Sequence, residues 1–75
     1  MNITLTTKSK NSVGDTLLRL IVSWNNEPFR VVMVCDKQHD GSYKFEPTLW
    51  HVYNLMNPKE KRQLEVFCNE AMNES

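Results

Sequence analysis

Leu17-Leu18-Arg19-Leu20-Ile21-Val22-Ser23-Trp24, the turn residues Asn25-Asn26-Glu27-Pro28, and Phe29-Arg30-Val31-Val32-Met33-Val34-Cys35-Asp36 decide how this chain folds. Two runs rich in aliphatic, β-branched and aromatic side chains, separated by turn formers, specify a hairpin. Pro28 closes the loop where it need not donate a backbone hydrogen bond. With Trp24 set opposite Phe29, Trp24/Phe29, Val22/Val31, Leu20/Met33 and Leu18/Cys35 share one face. Ser23/Arg30, Ile21/Val32, Arg19/Val34 and Leu17/Asp36 share the other. The first set reads as the core face, yet the second is also rich in aliphatics. A chain of 75 residues hides only about 60–65% of the surface its unfolded form exposes. It therefore makes one domain, residues 1–75, with one core, and can cover one hairpin face only.

Outward from the hairpin, residues 2–8 alternate Ile3, Leu5 and Thr7 with Asn2, Thr4, Thr6 and Lys8, the period of a strand with one buried face. Residues 8–15 gather small polar residues and Gly14, a loop. Asp40-Gly41 suits a turn that needs positive φ, and residues 42–46 alternate again as a short fourth strand. Leu49, Val52, Tyr53 and Met56 then recur at the spacing of one helix face, predicting a helix over 48–56, although Trp, Val and Tyr at 50–55 also favour a fifth strand. Asn57-Pro58-Lys59-Glu60 supplies a capping residue, a proline at the first helical position and a carboxylate at the third. Leu64, Phe67, Cys68, Ala71 and Met72 continue as an apolar stripe, predicting a helix over 58–72. The expected fold is α+β: a four-stranded antiparallel meander followed by two C-terminal helices packed on one sheet face.

Composition narrows the function classes. Nine basic residues balance nine acidic ones, which disfavours binding nucleic acid by bulk charge and equally disfavours a strongly acidic mimic of it. Residues 1–44 carry six basic and four acidic side chains and residues 45–75 three and five, an asymmetry too slight to name a partner. Two cysteines, Cys35 and Cys68, are fewer than the dense framework of small secreted domains, so a reducing, cytoplasmic setting is expected. The amino terminus lacks the pattern of a secretory signal, and no segment approaches the ~20 apolar residues of a membrane span, so no membrane partner is expected.

Leu17, Arg19, Ile21, Arg30, Val32 and Val34 form the candidate partner-binding site: an aliphatic strip flanked by two arginines. Contiguous apolar surface of this kind marks docking sites, and arginine is enriched at interfaces. The competing account is a sheet curled enough to draw these residues into the core, or plain strand propensity on an open face. Cys35, His39, His51 and Cys68 have the residue types of a Cys2His2 metal site, but their spacing resembles no compact zinc module, so neither a metal nor any other cofactor is expected. His39 and Asp40 adjoin in a turn without orienting a base toward a nucleophile, and two distant glycines make no phosphate loop. No catalytic residue is assigned and no enzyme is expected. Lys8, Lys10, Arg19, Arg30, Lys37 and Lys44, with Trp24, Phe29 and Tyr43 for stacking, carry a less favoured reading as a single-stranded nucleic-acid binder.

The layout of four strands from Ile3 to Glu46 and two helices from Thr48 to Met72, with the terminal segment Asn69-Glu70-Ala71-Met72-Asn73-Glu74, resembles small phage-encoded inhibitors of the anti-CRISPR type. That resemblance implies a phage or mobile-element accessory protein that occludes a host protein complex by protein contacts. Val22-Ser23-Trp24-Asn25-Asn26 and Leu55-Met56-Asn57-Pro58 also look like the coactivator-type single-strand DNA-binding fold, which requires residues 50–55 to be strand. A small structural homodimer closed over the exposed face is the third expectation.

Overall fold

The computed structural model describes residues 1–48 and 50–74, with the backbone alone of Trp50. Its elements are β1 (Asn2–Lys10), β2 (Thr16–Trp24), β3 (Glu27–Lys37), β4 (Tyr43–Pro47), α1 (Trp50–Leu55) and α2 (Pro58–Asn73). The strands form one antiparallel sheet in the order β1-β2-β3-β4. The expected meander and helical pair are present, and residues 50–55 are helix rather than strand. Leu49, placed on the first helix stripe by the sequence, lies outside the described residues.

The β2–β3 register differs from the expected one. Trp24 stands opposite Glu27, Val22 opposite Phe29, Leu20 opposite Val31 and Leu18 opposite Met33. Asn25 and Asn26 both take positive φ, 53° and 63°, the conformation of a two-residue turn whose twist matches that of the strands it joins. Asparagine tolerates this region where most residues do not. Glu27 and Pro28 consequently join the strand, and every pair slips by two. A slip of two leaves each side chain on its own face, so the division into core and outer faces holds. Because Trp24 and Glu27 close the turn as a hydrogen-bonded pair, the backbone at Pro28 points away from β2, past the end of β4, where no donor is needed.

Leu18, Leu20 and Val22 from β2 meet Val31, Met33 and Cys35 from β3 beneath Val52 of α1, Met56 just past its end, and Leu64, Cys68 and Ala71 of α2. Each large aliphatic here contributes about 1.5–3 kcal/mol by leaving water. α2 begins where its sequence directs: Asn57 Oδ1 accepts the Glu60 N–H at 2.8 Å and Glu60 Oε1 accepts the Asn57 N–H at 3.0 Å, a reciprocal capping box. Glu60 Oε2 also accepts the Trp24 indole N–H at 2.8 Å, tying the helix start to the hairpin end of the sheet.

The other end of α2 is fixed by a feature the sequence does not announce. β1 carries a bulge between Leu5 and Thr7: Leu5 pairs with Leu20, Thr7 with Arg19 and Lys8 with Leu18. The inserted residue swaps the faces of everything that follows. Thr7, expected on the buried face, is exposed, and Lys8 turns toward the helices. Its Nζ donates to the carbonyls of Ala71 and Glu74, each at 3.0 Å, satisfying carbonyls left open at a helix C-terminus and placing a cation at the negative end of the helix dipole.

Glu60→Ala removes both the capping carboxylate and the acceptor for Trp24. The expected loss is about 1–2 kcal/mol, read as a lowered urea midpoint with an unchanged denaturant slope.

Candidate protein-docking face

Among the described residues the helices pack on one side of the sheet, and no element covers the opposite side. Alternation places Leu17, Arg19, Ile21 and Ser23 of β2 on that side, with Pro28, Arg30, Val32 and Val34 of β3. Cross-strand neighbours are Leu17 with Val34, Arg19 with Val32 and Ile21 with Arg30. All six residues of the expected site therefore share one face in two adjacent strands. Their order differs from a bare aliphatic strip: each arginine sits directly across from an aliphatic. These are the pairs not bridged by backbone hydrogen bonds, in which side chains approach most closely, and arginine stems readily lie along such neighbours. Leu17, Val32 and Val34 are half-buried although no described element covers them, while Ile21 is 36% exposed and both arginines are exposed.

Thr6, Arg19, Ile21, Arg30 and Val32 ring an open concavity of about 450 Å³, floored at Leu20 and Val31. Thr6 is the bulged residue, and its Oγ1 donates to the Arg19 carbonyl at 2.9 Å. Sequence reading omitted it, since nothing distinguishes Thr6 from Thr4 or Thr7 before the bulge is known. Among the described residues the only ion pair is Lys44 with Glu46, 3.3 Å apart, so neither Arg19 nor Arg30 is matched by a carboxylate. The centre of the face is thus two unpaired guanidiniums set among aliphatics, with Glu46 opposite Val34 and Lys44 opposite Asp36 at its β4 end.

Of the nucleic-acid candidates, Arg19, Arg30 and Lys44 fall on this face but none of the three stacking aromatics does. Trp24, Phe29, Tyr43 and Phe45 all fall on the helix-covered side by alternation, Trp24 and Phe29 with ring centroids 6.1 Å apart. Lys8 is engaged by the carbonyls of α2 and Lys44 by Glu46. With α1 helical, the geometry of the coactivator-type fold is also missing.

Cys35 and Cys68 are free and buried in the common core, and His39 and His51 are exposed. Among the described residues no group of three or more His, Cys, Asp or Glu is placed to hold a metal, and no helix is long and apolar enough to cross a membrane. Comparison of the chain with family models, with curated proteins and with solved structures returned no match.

Burial pushes the Cys35 thiol up to about 11, against a smaller opposing pull from the Lys8 ammonium. Burial first, then the charges of Cys35 and Glu65, push Cys68 up to about 12. Free thiols ionise near 8.5. Since folding raises both values, the stability contributed by the protonated thiols is fully present below the unfolded value and is lost as pH rises through the folded ones. The unfolding free energy should hold level near pH 7–8 and fall above about pH 9, when the unfolded chain has released protons that the folded chain keeps. In Cys35→Ala/Cys68→Ala the baseline drops, because the core is emptied, but the alkaline decline becomes shallower; urea titrations at stepped pH measure it.

Proposed function

We propose that this chain is a small non-enzymatic protein-binding module. It docks through Leu17, Arg19, Ile21, Arg30, Val32 and Val34 onto a partner protein that presents carboxylates among apolar side chains. The observation that carries the reading is the pair of unmatched guanidiniums embedded in half-buried aliphatics at the centre of the uncovered sheet face. Guanidinium forks match carboxylates in a bidentate way while their stems pack, the combination found at interface anchors. In its specific form the reading is of a phage or mobile-element accessory protein of the anti-CRISPR type, working in the cytoplasm by occluding a host protein complex. The succession of four strands and two helices supports that form.

A second copy is the less favoured occupant. An isologous contact brings the same patch against itself, setting Arg19 and Arg30 among their own counterparts, with Asp36 and the Lys44-paired Glu46 at one end. A nucleic-acid strand is less favoured too, because among the described residues the open face offers no aromatic platform for base stacking.

The test is retention of host-lysate proteins on the immobilised chain. A partner held by the wild type should be held at least tenfold more weakly by Arg30→Glu and by Val32→Glu, whose sites require little from the core, and equally well by Arg62→Glu on the exposed surface of α2. Equal retention by all four, or retention of nothing, would contradict the proposal.

A further inference from the structure

We propose a second binding site, independent of the open face: the groove between the free edge of β1 and α2 accepts an extended segment of another protein by strand addition. The two-residue turn fixes which backbone groups face which neighbour. Trp24/Glu27 is a hydrogen-bonded pair, so the odd-numbered residues of β2 direct their backbone to β1. Asn2 opposite Ser23 and Thr4 opposite Ile21 are then paired inward, and the N–H and C=O groups of Ile3 and Leu5 point out along the sheet edge. Nothing among the described residues accepts from or donates to them.

The sheet guards its other edges. β4 is five residues long, carries Lys44 and Glu46 and ends in Pro47. The second half of β1 has the bulge, Lys8 and Lys10. Bulges, prolines, charges and short length are the usual defences against strand pairing. Asn2–Leu5 carries no bulge, no proline and no charged side chain.

Beside this segment α2 presents Gln63, Val66, Phe67 and Glu70, followed by Glu74 just past its end. Two cavities of about 270 and 110 Å³ lie end to end along it, the first bordered by Met1, Ile3 and Val66, the second by Leu5 and Glu74, and both by Phe67 and Glu70. Val66 is 46% exposed on a helix whose neighbouring stripe is core. Gln63 Nε2, donating to the Met1 carbonyl at 3.1 Å, holds the near end of the groove together. The apolar end and the carboxylates at the far end select the occupant: an extended peptide with two apolar side chains at alternate positions and a lysine or arginine two residues before them, running antiparallel to β1. Main-chain bonds supply affinity in this mode and the alternate side chains supply specificity.

The probe is the capped peptide Thr-Lys-Thr-Val-Thr-Val-Thr, titrated into the isotope-labelled full chain. The expected result is saturable binding with new amide-exchange protection at Ile3 and Leu5, while Asn2 and Thr4, already paired with β2, change little. N-methylation of the peptide on its β1-facing N–H groups should abolish binding, and Val66→Lys and Glu70→Lys should each weaken it at least tenfold, with Arg30→Glu without effect. Unchanged exchange at Ile3 and Leu5 on saturation, equal binding by the N-methylated peptide, or no binding at millimolar peptide would overturn the proposal.

Discussion

Helices of six and sixteen residues can cover one face of a four-stranded sheet and no more, and the rest of this molecule follows from that limit. A sheet needs one apolar face against a second layer to be stable. Here the layer arrives only after all four strands, on the C-terminal third of the chain. The side it covers collects every described aromatic of the sheet and the buried aliphatics of β2 and β3. The side it leaves keeps the aliphatic content of strands built from Leu, Ile and Val, shielded by two arginine stems rather than by protein mass.

Placing one helix accurately over the sheet therefore matters more than usual, and α2 is pinned at both ends. Trp24 and the capping carboxylate Glu60 fix its start above the hairpin turn, and Lys8 holds its last carbonyls above the far end of β1. Both tethers join residues far apart in sequence, so the helix and the sheet edges are held as one body. The β1 bulge is what makes the second tether available: without it Lys8 would face solvent on the open side and a threonine would sit under the helix. The same irregularity interrupts the β1 edge, leaving Asn2–Leu5 as a regular stretch without charge.

Much of this was legible beforehand. Alternation at Leu18, Leu20 and Val22 marks the core face without reference to a partner strand, and it survives a register error of two. Asn57-Pro58-Lys59-Glu60 locates the start of α2 because each of its residue types answers a specific deficit of a helix N-terminus. The register itself was not legible: Asn25, Asn26 and Pro28 are compatible with a four-residue loop as well as a tight turn, and only the backbone conformation at the two asparagines decides. That choice turned an expected Ile21/Val32 contact into Ile21 beside Arg30 and Arg19 beside Val32, and so changed the site from a bare apolar strip to a mixed one. The bulge was invisible because Thr6 and Thr7 are chemically alike, and the role of Lys8 was hidden with it.

The central claim is that the arginine-bearing face is open in the isolated chain and not closed by a second copy. Light scattering over a concentration series measures it most directly, with Val32→Glu run in parallel. The account predicts the mass of the 8.8 kDa monomer throughout, for both proteins. A dimer of the parent chain that Val32→Glu splits into monomers would contradict it, and would assign the face to self-association.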